Sequence, residues 1–516
     1  MKVAMNVGDF LDRAALVFPD RLALVDEESA PGNLGRITYA ELNRRARGMA
    51  KTLEDLGVAP GDRVALISPN SGKFLVSYYG VSGYGRILVP INYRLSEDEL
   101  TYIVGHSGSS VLMVDPEYDE ITKHIKVKHR FVLDNANDKE LFAPLSDSSP
   151  GPQIWEGDED FTCSINYTSG TTARPKGVQM THRNAWINAV IFGWHTTVTD
   201  RDVLLHTLPM FHCNGWGMPY AVTAMGGTHV IQRKIDGENI LYKIENEGVN
   251  LLCGAPAVWA SVLDAATKRA EDGREVPGRD LVRVVAAGAP PPSRTIERIE
   301  DELGWEFIQL YGLTETSPLL TINRAVREWD GIDRVEKSRR LSWAGVPAVG
   351  MKVCCDGEGE VIAKGNHIFA GYWENPEASN EALAGGWFHT GDGGHMDGSY
   401  IVISDRKKDV IISGGENVSS VEVEDILYQH PAVAEVAVIG VPDEKWGETV
   451  KALVVLRPNS QVTEEELRIF CKAKLAGFKC PTTIEFRDAL ARTATGKLQK
   501  FKLREPYWQG MERKIN

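Results

Sequence analysis

The sequence predicts an α/β protein: a large N-terminal α/β domain of mostly layered β-sheets and helices, followed by a small C-terminal α+β domain. Three observations carry this. Short apolar runs alternate with helically spaced ones over residues 36–91, and the alternation returns over 281–303. The character of the chain then changes at Asp405-Arg406-Lys407-Lys408-Asp409.

Ile37 to Tyr39 is short and β-prone. Leu42, Ala46, Met49, Ala50 and Leu53 then recur at helical spacing, Gly57 ends the helix, and Val64 to Ile67 begins a buried strand. A helix from Gly72 to Gly83 and a strand from Ile87 to Ile91 repeat the unit. Phe161 to Tyr167 is an apolar-leaning run that launches a loop. Leu281 to Ala287 is a continuous apolar strand, broken by Gly288-Ala289-Pro290-Pro291-Pro292 and followed by a helix from about Ser293 to Leu303. Solid apolar strands joined by helices imply largely parallel sheets, whose ligands sit beyond the carboxyl ends of the strands. Tyr167–Gly177 and Gly288–Pro290 both fall at such ends.

Beyond the charged run, a glycine turn at Gly414-Gly415 leads to a helix around Ser420 to His430. Strands near Val433–Val441 and Val450–Leu456 follow, then a helix from Thr463 to Leu475. This reads as a domain of about a hundred residues, so the chain divides into 1–406 and 407–516.

A chain of 516 residues is too long for one hydrophobic core, and 43% hydrophobic with 25% charged residues is an ordinary globular composition. A net charge of −14 argues against a nucleic-acid binder and requires any anionic ligand to be held by local cations. The seven cysteines are odd in number and lack paired metal-ligand spacing, which points to a reduced, cytoplasmic setting. Asp9, Asp12 and Arg13 stand where a signal peptide would be apolar, and no membrane-length apolar run occurs. The terminal Arg-Lys-Ile-Asn is not a peroxisomal Ser-Lys-Leu address.

The stretch Tyr167-Thr-Ser-Gly-Thr-Thr-Ala-Arg-Pro-Lys-Gly177 carries the chemistry. Thr168, Ser169, Thr171 and Thr172 crowd around Gly170, and Lys176 follows a proline. Hydroxyls, bare amides and a cation suit a polyphosphate; the same composition also makes a solvated loop. It is not a Walker A loop, because Lys176 precedes Gly177 and Val178 rather than Ser or Thr. Tyr311-Gly312-Leu313-Thr314-Glu315-Thr316 offers an aromatic ring and a carboxylate at another strand end, suited to a base and Mg²⁺, or simply forms a turn before a capped helix. Asp392, in Thr390-Gly391-Asp392, either grips vicinal hydroxyls or forms an Asx turn.

These motifs resemble, in order, the signatures of the adenylate-forming superfamily, which includes acyl-CoA synthetases, luciferases and peptide-synthetase adenylation domains. The likeness covers nearly the whole chain. It departs at Ala173, where the family usually has Gly, and at Asp405, where Gly usually precedes the arginine. The resemblance implies that Thr168, Ser169, Gly170, Thr171, Thr172 and Lys176 hold the phosphates. Gly288, Ala289, Pro290, Tyr311 and Gly312 would surround adenine. Thr314 would lie near the phosphate, Glu315 with Thr168 on the metal, and Asp392 with Arg406 on the ribose. Lys497, in Arg492-Thr-Ala-Thr-Gly-Lys-Leu, would bridge the carboxylate and α-phosphate, and Lys408 would be the hinge of a mobile C-terminal domain. Gly414, Gly415 and Glu416 would line the thiol channel. His212 would stand near the carboxylate, with Asn214, Trp216, Val258 and Trp259 around the acyl chain.

The implied function is an ATP-dependent carboxylate–CoA ligase that forms an acyl-AMP and then an acyl-CoA thioester, releasing AMP and pyrophosphate. ATP, Mg²⁺ and coenzyme A are the implied substrates and cofactor, with a small to medium aliphatic, branched or aryl acid. No nucleic acid or integral membrane partner is expected, and a homodimer is compatible. Loading of a carrier-protein phosphopantetheine, or a non-catalytic adenylate-binding regulator, are the alternatives. A nucleophilic Cys213 is not expected, since adenylation needs no covalent enzyme intermediate.

Overall fold

Solid apolar strands have to be covered on both faces, and the chain achieves this with helices between two large sheets. The structure, a computed structural model, describes residues 2–168, 174–288, 291–406, 409–413, 416–443, 446–492 and 498–509; side chains 405 and 406 lie outside the description. In a nine-stranded sheet, the inner strands from Glu306–Gly312 through Arg283–Ala286, Leu251–Gly254, Val203–His206 and Thr228–Ile231 to Leu22–Val25 run parallel. Its edges, Arg36–Thr38 on one side and Leu319–Arg324 with Val346–Pro347 on the other, are antiparallel. A seven-stranded sheet pairs Thr162–Thr168, Ile87–Ile91, Arg63–Ile67, Ser109–Val114 and His129–Val132 in parallel.

The helix Gly72–Gly80 is buried along its whole length. It starts at Ser71, whose hydroxyl accepts from Phe74 N at 3.2 Å. It stops sooner than Gly83, breaking at Val81 into a 3₁₀ turn Ser82–Tyr84 that Gly85 closes with φ +79°. Lys73, on this buried helix, pairs with the buried Asp138. The helix from Ser293 likewise changes form, running α to Arg298 and π over Ile299–Leu303.

The strand expected over Leu281–Ala287 is shorter, Arg283–Ala286, because parallel pairing begins at Arg283 opposite Leu251 and Leu281 is exposed in the preceding turn. The sheets are also less uniformly parallel than expected. Lys352–Cys355, Glu360–Lys364, Phe388–Asp397 and Tyr400–Arg406 form a separate four-stranded antiparallel sheet.

The C-terminal unit has its own five-stranded sheet, dominated by the pair Val433–Asp443 and Gly447–Leu456, with helices Ser420–Tyr428 and Glu464–Lys472. Ile411, Val436, Val450 and Leu467 belong to its own apolar cluster. Among the described residues no helix is long and apolar enough to cross a membrane.

Candidate adenylation site

Thr168 ends one strand and Lys176 begins the next, and the two face each other in an antiparallel hairpin. The expected phosphate-binding residues Ser169, Gly170, Thr171 and Thr172 lie outside the described residues. Gly177 is required by close packing, because a Cβ there would lie 2.8 Å from Ile165 Cγ2 and 3.1 Å from Tyr167 Cζ. Tyr167 is held from outside by His106, whose Nδ1 is 2.8 Å from the phenol oxygen.

The short strand Gly371–Tyr372 adds to this hairpin, and Trp373 N donates to Gly177 O at 2.7 Å. It brings in a residue that no motif announced. The Lys176 ammonium lies 4.9 Å from the centre of the Tyr372 ring, and the Tyr372 hydroxyl donates to Glu315 Oε1 at 2.8 Å. Burial and the Glu315 carboxylate together hold the Tyr372 phenol well above its usual range, so it stays a donor. Two further features fix Glu315: it is buried with Thr314 in a 3₁₀ turn, and Phe369 N donates to Glu315 O at 2.8 Å. Gly312 precedes that turn where a Cβ would come within 1.6 Å of Pro318 O, so no other residue fits. Glu315 offers a carboxylate and Thr168 a hydroxyl, both hard oxygen donors of the kind that suits Mg²⁺ alongside phosphate oxygens.

Tyr311 ends the strand Glu306–Gly312 and donates its hydroxyl to Asp392 Oδ2 at 2.8 Å. Asp392 is buried, and its amide donates to Thr390 Oγ1 at 3.1 Å. Arg406 sits opposite Asp392 in the antiparallel register. The structure thus puts Tyr311 in contact with Asp392, with Arg406 at the register position opposite. Gly288 follows the strand Arg283–Ala286 with φ +92°, a conformation glycine adopts freely; Ala289 and Pro290 lie outside the described residues.

His212 opens a segment with unusual geometry. Cys213, Asn214, Gly215 and Trp216 have φ of 47°, 51°, 61° and 61°, and Gly217 continues at 76°. Left-handed backbone costs roughly 1–2 kcal/mol per non-glycine residue, so the surroundings must hold it. Asn188 Nδ2 donates to Trp216 O at 3.1 Å, and Asn214 Nδ2 donates to Ser164 Oγ at 2.8 Å on the strand Thr162–Thr168. Cys213 Sγ lies 3.9 Å from Thr314 O, which joins the segment to the Glu315 turn. Burial first, and Glu315 second, push the Cys213 thiol far up, so it is neutral, as expected for a residue with no nucleophilic role.

Asn214 and Trp216 are buried against the larger apolar cluster, whereas Val258 and Trp259 pack in the second one, on the helix Pro256–Glu271. Trp259 lies over the strand end, where a Cβ on Gly254 would meet its Cζ2 at 3.2 Å.

Glu416 is described and exposed at the start of the strand Glu416–Val418. Gly414, Gly415, Lys408 and Lys497 lie outside the described residues. Arg492 and Leu498 form an antiparallel bridge, and Gln499 N donates to Ala491 O at 2.8 Å. Of the residues just described, His106, Ser164, Asn188 and Tyr372 were not anticipated: their partners, Tyr167, Asn214, Trp216 and Glu315, are distant in sequence.

Residues 11–373 match the family of AMP-binding enzymes, and residues 422–497 match the AMP-binding enzyme C-terminal domain. The chain is 37% identical to 4-hydroxybutyrate–CoA ligase 2 of Metallosphaera sedula, covering 96% of this chain and 93% of that one. It is 36% identical to a 2-methylpropanoate–CoA ligase of Humulus lupulus, covering 96% and 94%. The crystal structure of the anthranilate CoA ligase AuaEII with anthranoyl-AMP superposes with a TM-score of 0.87 at 26% identity, covering 98% of both chains.

Proposed function

Because the chain belongs to the AMP-binding enzyme family and is an AMP-forming acid–thiol ligase acting through an acyl-adenylate, we propose that it activates a short aliphatic acid of the size of 2-methylpropanoate or 4-hydroxybutyrate. The observation that carries the adenylation half is the convergence of Lys176, Tyr372 and Glu315 beside the Thr168 hairpin. The names of the two relatives support the acid's size, and so does the burial of Trp216 within the segment that follows His212.

In this reading Lys176 and the hydroxyl loop hold the β- and γ-phosphates, and Tyr311 faces adenine. Asp392 with Arg406 orients the ribose. Glu315 and Thr168 would hold Mg²⁺, which when bound neutralises phosphate charge. His212 lies near the acid's carboxylate. The acid's oxygen attacks the α-phosphorus, the bond to the β-phosphate bridging oxygen breaks, and pyrophosphate leaves. Lys497 offsets the charge gathering on the α-phosphate, a contribution that for one well-placed donor is worth roughly 3–4 kcal/mol. The C-terminal unit then turns about Lys408, and the Gly414-Gly415-Glu416 face admits the CoA thiol. Its sulfur attacks the acyl carbon and AMP departs.

The seven free cysteines suit a reducing cytoplasm, and a homodimer belongs to the same reading. The experiment is a panel of carboxylic acids scored by pyrophosphate release with and without CoA. Short aliphatic acids should lead the panel, and preferred turnover of aryl or long-chain acids would overturn the assignment of the acid.

A further inference from the structure

On the reading that the C-terminal unit turns between the two half-reactions, we propose that Asp425 is a positioning residue. Its carboxylate latches that unit onto the helix following the adenine-side segment, and so sets how the enzyme divides between adenylation and thioester formation.

The helix Ser293–Arg298 begins immediately after Gly288–Pro292. Pro292 stands at its N-cap and has no polar side chain, so the helix receives no cap from its own segment. Asp425, on the C-terminal helix Ser420–Tyr428, supplies one. Ser293 N donates to Asp425 Oδ1 at 3.0 Å, and the Ser293 hydroxyl lies 3.0 Å from Oδ1 and 3.2 Å from Oδ2. Gln429, one turn further along, donates to Oδ2 at 3.4 Å and steadies the carboxylate from its own helix. Ser293 is only 9% exposed and Asp425 is half-buried, so the contact is partly shielded from competing water.

A second bond crosses from the same helix. Ser419, its N-cap, donates its hydroxyl to Ser404 O on the strand that leads into the 405–408 segment. The helix is thus tied to the N-terminal unit near both its ends. The apolar clusters that contain C-terminal residues contain none from the N-terminal unit among the described residues. With no shared apolar core across the junction, polar contacts weigh heavily in fixing its orientation. A turn about residue 408 moves Asp425 away from Ser293 and has to break the latch.

The test uses the full-length enzyme with Asp425→Ala, Ser293→Ala and the double variant, in two single-turnover assays. One follows pyrophosphate release from ATP and the acid; the other follows thioester formation from supplied acyl-AMP and CoA. Asp425→Ala should change the ratio of the two rates by about tenfold or more, the effect expected of losing hydrogen bonds to a charged acceptor. Ser293→Ala should move the ratio the same way by less, since its amide remains, and the double variant should match Asp425→Ala. Asp425→Asn keeps the shape of the side chain, and should shift the ratio in the same direction without lowering the thermal midpoint. Equal falls in both rates, or a ratio within about twofold of the parent, overturn the latch. Lys497→Ala is assayed alongside. If it splits the half-reactions while Asp425→Ala does not, the latch alone is wrong; if it lowers both rates equally, the turning unit is wrong and the latch falls with it.

Discussion

The phenol of Tyr372 donates to Glu315 Oε1 across 2.8 Å while the Lys176 ammonium lies 4.9 Å from the centre of the same ring. One side chain therefore stands between the Lys176 cation of the Thr168 hairpin and the carboxylate of the Thr314–Thr316 turn. A lysine and a glutamate at one ring are thereby each given a partner other than the other.

Tyr372→Phe should lower the rate of pyrophosphate release by roughly tenfold and raise the Mg²⁺ concentration needed for half-maximal rate, since the hydroxyl orients a charged acceptor. Glu315→Gln should cost more, roughly 10²–10³ in the same rate. An Mg²⁺ dependence unchanged by Tyr372→Phe would show that the hydroxyl does not orient the carboxylate.

The Tyr311–Asp392 pair should behave differently, because in the proposed function it faces parts of the nucleotide that do not react. Asp392→Ala should raise the KM for ATP by about 10–100-fold with a smaller change in kcat, the pattern of a contact made equally in ground and transition states. Tyr311→Phe, which removes only the bond at 2.8 Å, should give a fraction of that effect. Steady-state kinetics at varied ATP distinguish the outcomes, and a fall confined to kcat would place Asp392 in the chemical step.

The hairpin, the Tyr311 strand end and the C-terminal unit were legible in the sequence because each announces itself locally, through an apolar run followed by a glycine-bearing polar turn. Tyr372 was not, since its meaning comes from the pairing of Gly371 with Gln179 and from a carboxylate 57 positions away. The antiparallel sheet over 352–406 was missed because its strands are interrupted by exposed charged positions such as Lys352 and Lys364 and lack a solid apolar run. The left-handed turn at 213–217 is equally silent. Gly215, Gly217 and Asn214 tolerate positive φ, but Cys213 and Trp216 do so only because Thr314, Asn188 and the core hold them.

Lys73 and Asp138 form an ion pair whose side chains are 2% and 0% exposed. Burial pulls the Lys73 pKa down, and the bond to Asp138 opposes that shift. Lys73→Met leaves the carboxylate buried without its cation and should destabilise the fold by about 3–5 kcal/mol. Replacing both, as Lys73→Met with Asp138→Leu, should recover much of that loss. Urea unfolding of the two variants decides the matter: a double variant as unstable as the single one would mean that shape, not charge, is what the pair provides.

Acid sensitivity should come from a set of buried histidines. His182, His206, His229 and His367 are 0%, 4%, 0% and 1% exposed. Burial lowers the pKa of His182 and of His206 from 6.5 to about 3 and that of His367 to about 4, and it drives His229 well below the ordinary value, with His206 adding repulsion. His206 Nε2 and His229 Nδ1 are 3.1 Å apart, so protonating both would set two cations side by side. Below pH 6.5 the unfolded chain binds protons at these positions and the folded chain does not. Stability is therefore complete above that pH and is lost as pH falls toward the folded-state values, at up to about 1.4 kcal/mol per pH unit for each histidine. Urea midpoints measured from pH 7.5 to 5 should fall steadily, and His206→Gln should flatten the slope even if it lowers the midpoint at pH 7.5. A slope unaltered in that variant would assign the acid sensitivity to other groups.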